Sequence, residues 1–156
     1  LSLRELSEIA VKVGADVPFF LLPHRAAIGR GIGEELEPID LTVRGKWVLV
    51  FPAFPVPTKL AYSLIESRGI YTNDKDAEEK LGELIKNLKE GKEVKLENDF
   101  ENVVFERFPE IGEIKSNLVR NGWNSVMSGS GSSVFGFNGE GFENLKGSYK
   151  IWFWEE

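Results

Sequence analysis

The sequence predicts an α+β chain: from Lys46 to residue 156, a ferredoxin-like split βαβ sandwich, an antiparallel sheet with helices on one face. Three observations predict it. The order after Lys46 is strand, helices, strand, strand, short helix, strand. The strands are short apolar runs bounded by Gly, Pro or Ser, while the helices repeat apolar residues every three or four positions. The first 45 residues do not fit this unit and supply only one helix and a strand pair, which cannot bury both faces alone. They read as the tail of a different domain.

In chain order, Ser2 and Glu5 form an S-x-x-E capping box. Leu3, Leu6, Ile9, Ala10 and Val13 then share one helical face, and Gly14 is a natural stop. Ala26–Arg30 is predicted as a short strand, Gly31-Ile32-Gly33 as a turn, and Leu36–Val43 as its partner, placed on an edge by Pro38. Lys46–Phe51 is a continuous run of β-formers, expected to be buried on both faces. Pro52, Pro55 and Pro57 stiffen the following loop, and Thr58 is the expected N-cap of a helix to about Glu66. After a polar loop from Ser67 to Lys75, Asp76–Glu90 is the most regular amphipathic helix. Asn98–Phe108 and a helix opened by Pro109 and stopped by Gly122 follow. Trp123–Met127 and Val134–Phe137 are strands flanking a serine-glycine run. Phe142–Lys146 reads as a single helical turn and Tyr149–Trp154 as a closing strand.

Composition narrows the function. The 156 residues are 42% hydrophobic and 28% charged, and eleven Phe and four Trp can fill a sizeable core. A net charge of -6 with scattered Lys and Arg argues against nucleic acid as partner. With no Cys and the single His24 in a polar turn, thiol chemistry and a cysteine or histidine metal site are excluded, and no metal ligand is assigned. No apolar run approaches the roughly 18 residues of a membrane helix, so neither membrane nor signal peptide is expected, and a reducing cytoplasm fits. The absence of Gln, with abundant Glu and Lys, hints at a thermophile. The sequence opens at Leu1, directly in a helix-start signal, so an upstream segment is expected.

Three stretches can carry chemistry. In Gly14-Ala15-Asp16-Val17-Pro18-Phe19-Phe20 an acid precedes a proline within an apolar segment. Asp16 either caps a short helix or handles a proton. In Ser128-Gly129-Ser130-Gly131-Ser132-Ser133 the glycines allow backbone geometries closed to other residues, and successive N–H groups can hold a phosphate or a developing negative charge. Six small residues are more than a hairpin needs, although flexible serine-glycine turns are common. In the Pro52–Tyr62 stretch, Thr58 and Tyr62 lie one helical turn apart and can present a hydroxyl and a ring to a heterocycle; a cap and a half-buried ring are the plainer account. Gly29-Arg30-Gly31-Ile32-Gly33-Glu34 imitates a dinucleotide loop but lacks its strand-to-helix context, and a twisted hairpin with close backbone approach explains it better.

Taken together and in order, the Asp16 segment, the Gly29–Glu34 segment with Leu36 and Pro38, Pro52 and Thr58, Asn98-Asp99-Phe100-Glu101, and Met127 through Gly136 resemble the 4-diphosphocytidyl-2-C-methyl-D-erythritol kinase family of the GHMP kinase superfamily. The resemblance runs nearly end to end. It implies transfer of the γ-phosphoryl of ATP, with Mg²⁺, to the 2-hydroxyl of a substrate carrying a cytidine diphosphate, in non-mevalonate isoprenoid synthesis. Asp16 falls on the family's catalytic aspartate, Ser128 to Ser133 on its glycine-rich active-site loop, and Thr58 and Tyr62 on positions at the cytidine end. It also implies that residues 1–45 are the end of a ribosomal-S5-like nucleotide-binding domain and 46–156 the substrate-side domain. The family's Pro-Ala-Lys-type motif and its Gly-Leu-Gly-Gly-Gly-Ser-Ser-type phosphate loop occur nowhere in this sequence. By that reading the chain is the C-terminal part, inactive until the N-terminal kinase half is supplied. A homoserine, mevalonate or sugar kinase of the same superfamily, or a non-catalytic ferredoxin-like interaction module, are the alternatives.

Overall fold

The structure is a computed structural model that describes residues 2–141, 145 and 149–155, without the side chains of residues 3 and 4. The helical turn expected at Phe142–Lys146 falls largely outside them. The chain divides into two compact units, Leu1–Val43 and Arg44–Glu156.

In the first unit, α1 spans Leu3–Val13. Its capping box forms as expected: Ser2 Oγ accepts from the Glu5 N–H at 3.3 Å, and the Ser2 N–H donates to Glu5 Oε2 at 2.7 Å. Of the face expected to point inward, Ala10 is buried, but Ile9 and Val13 are 50% and 76% exposed. A short 3-10 helix covers Val17–Leu21. β1 (Ala26–Arg30) and β2 (Glu35–Ile39) form a two-stranded antiparallel sheet. The second strand ends four residues before Val43, just after Pro38, whose missing N–H is tolerated because every strand of a two-stranded sheet is an edge.

In the second unit, β3 is Lys46–Pro52, followed by α2 (Thr58–Arg68), α3 (Asp74–Lys89), α4 (Glu101–Arg107), α5 (Pro109–Arg120), β4 (Asn124–Met127), β5 (Val134–Phe137) and β6 (Tyr149–Glu155). The sheet order is β4-β5-β3-β6 and all three pairings are antiparallel. This is the split βαβ arrangement. β4, reached by the long helical crossover, leaves a gap beside β3 that β5 fills.

One face of the sheet carries the core. Val48, Val50, Met127 and Val134 pack against Ala61 and Ile65 of α2, Val103 and Val104 of α4, and Ile111, Ile114 and Leu118 of α5. Each pairing places facing residues on the same side, so the opposite face presents Trp47, Leu49 and Phe51 beside Phe135, Phe137, Trp152 and Trp154. The expectation that β3 is buried on both faces is therefore wrong. Val48 and Val50 are buried, while Phe51 is 36% exposed. A continuous apolar run identifies a strand, but only neighbouring layers decide which sides are covered. Trp47 lies between Phe137, at 5.4 Å, and Trp154, stacked at 6.1 Å.

Helix boundaries shifted where caps were misread. α3 begins at Asp74 because the Asn73 side chain accepts from the Asp76 N–H at 3.0 Å. α4 begins at Glu101, not Asn98, whose Oδ1 instead accepts from the Phe100 N–H at 3.0 Å. α3, the most regular helix by pattern, has no buried residue, so its apolar stripe is only half covered.

The core makes a direct prediction. Leu118 is fully buried between α5 and the sheet. Leu118→Ala should cost about 3 kcal/mol of unfolding free energy, read from urea midpoints at unchanged slope.

Candidate active site

Asp16 immediately precedes the 3-10 helix, in the helical region of the backbone (φ -81°, ψ -11°), and its side chain makes no capping hydrogen bond. The capping explanation for this acid therefore fails. Its carboxylate is exposed to solvent, and the β1–β2 turn runs beside it. A Cβ on Gly33, at φ +112°, would lie 2.5 Å from Asp16 Oδ1. The glycine thus lets backbone pass close to the acid, as expected for a twisted hairpin.

The second unit gathers the other predicted residues. In the serine-glycine loop, the Ser128 N–H donates to the Ser133 carbonyl at 2.8 Å and the Gly131 N–H to the Ser128 carbonyl at 3.0 Å. Gly129 and Gly131 both have positive φ, 53° and 93°. A Cβ on Gly131 would meet Met127 Sδ at 3.0 Å. Among the described residues, the N–H groups of Gly129, Ser130 and Ser132 have no partner. Uncommitted N–H groups on a constrained turn suit an anion.

This loop touches the proline-rich stretch. Ser130 Oγ donates to Thr58 Oγ1 at 3.1 Å, and Ser132 Oγ to the Phe54 carbonyl at 2.7 Å. Thr58 is not the N-cap of α2. Pro57 occupies that position, without a side-chain bond, and Thr58 is the first helical residue. Its hydroxyl points to the loop instead. Tyr62, one turn on, is half exposed and sets its ring edge-on to Phe100, centroids 4.9 Å apart.

Asn98-Asp99-Phe100-Glu101 holds this cluster together and was not assigned to the site from sequence. Asn98 Nδ2 donates to the Met127 carbonyl at 2.8 Å and to the Gly129 carbonyl at 2.7 Å. Asp99 accepts from Thr72, N–H and hydroxyl, both at 2.8 Å. Glu101 Oε1 accepts from the Met127 N–H at 2.8 Å, while its Oε2 pairs with Lys115 at 2.5 Å. The available signal was a run of two acids and an amide just before a helix.

Next to it, a cleft of about 410 Å³ is lined by Thr72, Lys80, Lys95, Glu97, Asp99 and Lys115 among others. It includes Asn98 and Glu101 but none of Thr58, Tyr62 or the loop, and its lysines are already paired. Glu97 accepts from Lys80 and Lys95, each at 2.5 Å. Among the described residues no cluster of three His, Asp or Glu side chains could hold a metal ion, and no helix is long and apolar enough to cross a membrane.

Residues 75–140 match the family described as GHMP kinases C terminal. The chain is 38% identical to the 4-diphosphocytidyl-2-C-methyl-D-erythritol kinase of Prosthecochloris aestuarii over 92% of its length and 49% of that protein. It is 38% identical to the same kinase of Alkaliphilus oremlandii, over 96% of this chain and 51% of that one. A crystal structure of 4-(cytidine 5'-diphospho)-2C-methyl-D-erythritol kinase superposes with a TM-score of 0.71 at 34% identity, covering 85% of this chain and 47% of that one. The chain thus resembles the C-terminal part of this kinase and spans about half the length of the curated relatives it matches.

The lysine pair on Glu97 sets a pH prediction for the second unit. The hydrogen bonds from Lys80 and Lys95 lower its carboxyl from 4.5 to about 2. A lowered carboxyl stabilises the fold above its ordinary value and loses that contribution as pH falls through the folded one. The Glu97 contribution should therefore fade between about pH 4.5 and about 2. Because the group is exposed, it should amount to less than about 1 kcal/mol. Urea midpoints of the parent and Glu97→Gln should differ near neutrality and converge in acid.

Proposed function

We propose that this chain is the C-terminal part of an enzyme that transfers the γ-phosphoryl of ATP to the 2-hydroxyl of 4-diphosphocytidyl-2-C-methyl-D-erythritol. Residues 1–45 are then the end of its nucleotide-binding, ribosomal-S5-like domain and residues 46–156 its substrate-side domain. The observation that carries the reading is the serine-glycine loop, with free N–H groups, bonded through Ser130 to Thr58 at the head of α2. The relatives matched over nearly the whole chain carry that activity in their names.

The chemistry follows from the residue types. Phosphoryl transfer needs an oriented alcohol, a proton acceptor and stabilisation of charge on the transferred group. Asp16, exposed and free of a capping bond, takes the proton from the substrate hydroxyl. The free N–H groups of the loop face charge on phosphate oxygens. Thr58 and the Tyr62 ring, propped by Phe100, hold the cytidine end.

ATP is a co-substrate in this scheme. The sequence holds no Gly-Leu-Gly-Gly-Gly-Ser-Ser-type loop for its phosphates, so the N-terminal kinase half supplies that part, in the same polypeptide or as a second chain. Among the described residues no group of three His, Asp or Glu side chains could hold Mg²⁺, and no step here is assigned to the ion. A location in the cytoplasm belongs to the same reading.

Two experiments test it, both with the N-terminal half supplied. Asp16→Asn keeps the size and removes the proton acceptor. Turnover of the cytidyl substrate with ATP should fall at least about 100-fold, and near-normal turnover would end the assignment. Tyr62→Ala should raise KM for the cytidyl substrate by about tenfold, the scale of one lost base stack, with kcat little changed. Thermal protection by homoserine or mevalonate in place of cytidine nucleotides would move the protein to another kinase of the superfamily.

A further inference from the structure

We propose that Asn98, backed by the Glu101–Lys115 pair, is the positioning residue that holds the serine-glycine loop in its working shape. As a statement about phosphoryl transfer this rests on the function proposed above. As a statement about the loop it stands on geometry alone.

Met127 ends β4, which lies at one edge of the sheet. In the β4–β5 register Met127 faces Val134, and in the next pair the Ser128 N–H donates to the Ser133 carbonyl. Hydrogen-bonded and non-bonded pairs alternate along an antiparallel ladder. The Met127 N–H and carbonyl therefore point away from β5, off the edge of the sheet. Met127 is 1% exposed, so these groups have to find partners in the protein. Glu101 takes the N–H and Asn98 the carbonyl. Two side chains thus stand in for a missing neighbouring strand.

Asn98 then reaches two residues further. Its second amide hydrogen goes to the Gly129 carbonyl, and its Oδ1 is already used by the Phe100 N–H. The carboxamide spends two donors and one acceptor, all within 3.0 Å. Aspartate has the shape but no donor, serine has one donor, and glutamine is a carbon too long. Lys115 occupies the other oxygen of Glu101, leaving one for Met127. The side chains of that ion pair are only 12% and 22% exposed, so water competes little. Among the described residues, the far side of the loop is hydrogen-bonded only through the two serine hydroxyls, to Thr58 and Phe54. Orientation of the free N–H groups at Gly129 and Ser130 is therefore set from the Asn98 side.

Asn98→Asp tests this without a change of size, because it turns a carboxylate onto two carbonyl oxygens. In this chain, hydrogen exchange at the amides of residues 127–131 should accelerate at least about tenfold, with the β3 amides unchanged. With the N-terminal half supplied, kcat should fall by about tenfold or more, while KM for the cytidyl substrate stays within about threefold. Asn98→Ala, which removes both donors and adds no charge, should give a loss in the same direction in both readouts. It also serves as the test should the aspartate variant not fold. Unchanged exchange in the loop would overturn the proposal, and so would a KM effect without a kcat effect. If exchange accelerates but the parent itself phosphorylates nothing, the loop role of Asn98 stands and the kinase reading falls.

Discussion

A peptide group at the edge of a sheet is the constraint on which the second unit turns. Met127 is buried, yet its N–H and carbonyl face away from the neighbouring strand. Leaving both unsatisfied would cost a few kcal/mol, so the chain brings Asn98 and Glu101 to them. That requirement fixes where α4 starts and how it meets the sheet. It also fixes the direction in which the chain leaves β4, and so the shape of the serine-glycine loop.

The remaining contacts follow from that anchor. Asp99, between the two anchoring residues in sequence, ties Thr72 and with it the connection between α2 and α3. Phe100 supports the ring of Tyr62 on α2. One tetrapeptide, Asn98 to Glu101, therefore serves the loop, α2 and the α2–α3 connection together. The core beneath it is ordinary, aliphatic side chains of α2, α4 and α5 on one face of the sheet. The opposite face, rich in Trp and Phe, is left much more exposed. A framework packed on one side gives a firm base for a loop whose own N–H groups must stay uncommitted if they are to meet an anion.

Much of this was legible from residues alone, for identifiable reasons. The capping box Ser2–Glu5, the Pro109 boundary between α4 and α5, and the strand order after Lys46 all depend on local chemistry or on the sequence of elements. Thr58 was misread as a cap because threonine before a helix normally is one; here Pro57 holds that position and the hydroxyl bonds to Ser130, 72 residues away. Asn98 was misread as helical because its two carbonyl partners lie 29 and 31 residues on. From local pattern a cap is the plainer account of Asp16, yet its carboxylate makes no capping bond.

By itself the sequence determined the element order, the strand lengths to within a few residues and the stretches that carry polar groups in apolar surroundings, because each depends on propensities and spacings of neighbouring residues. Only tertiary structure decided which face of β3 is covered, where the Thr58 hydroxyl goes and that Asn98 and Glu101 govern the loop. Those outcomes depend on hydrogen bonds and packing between residues tens of positions apart, which local pattern does not carry.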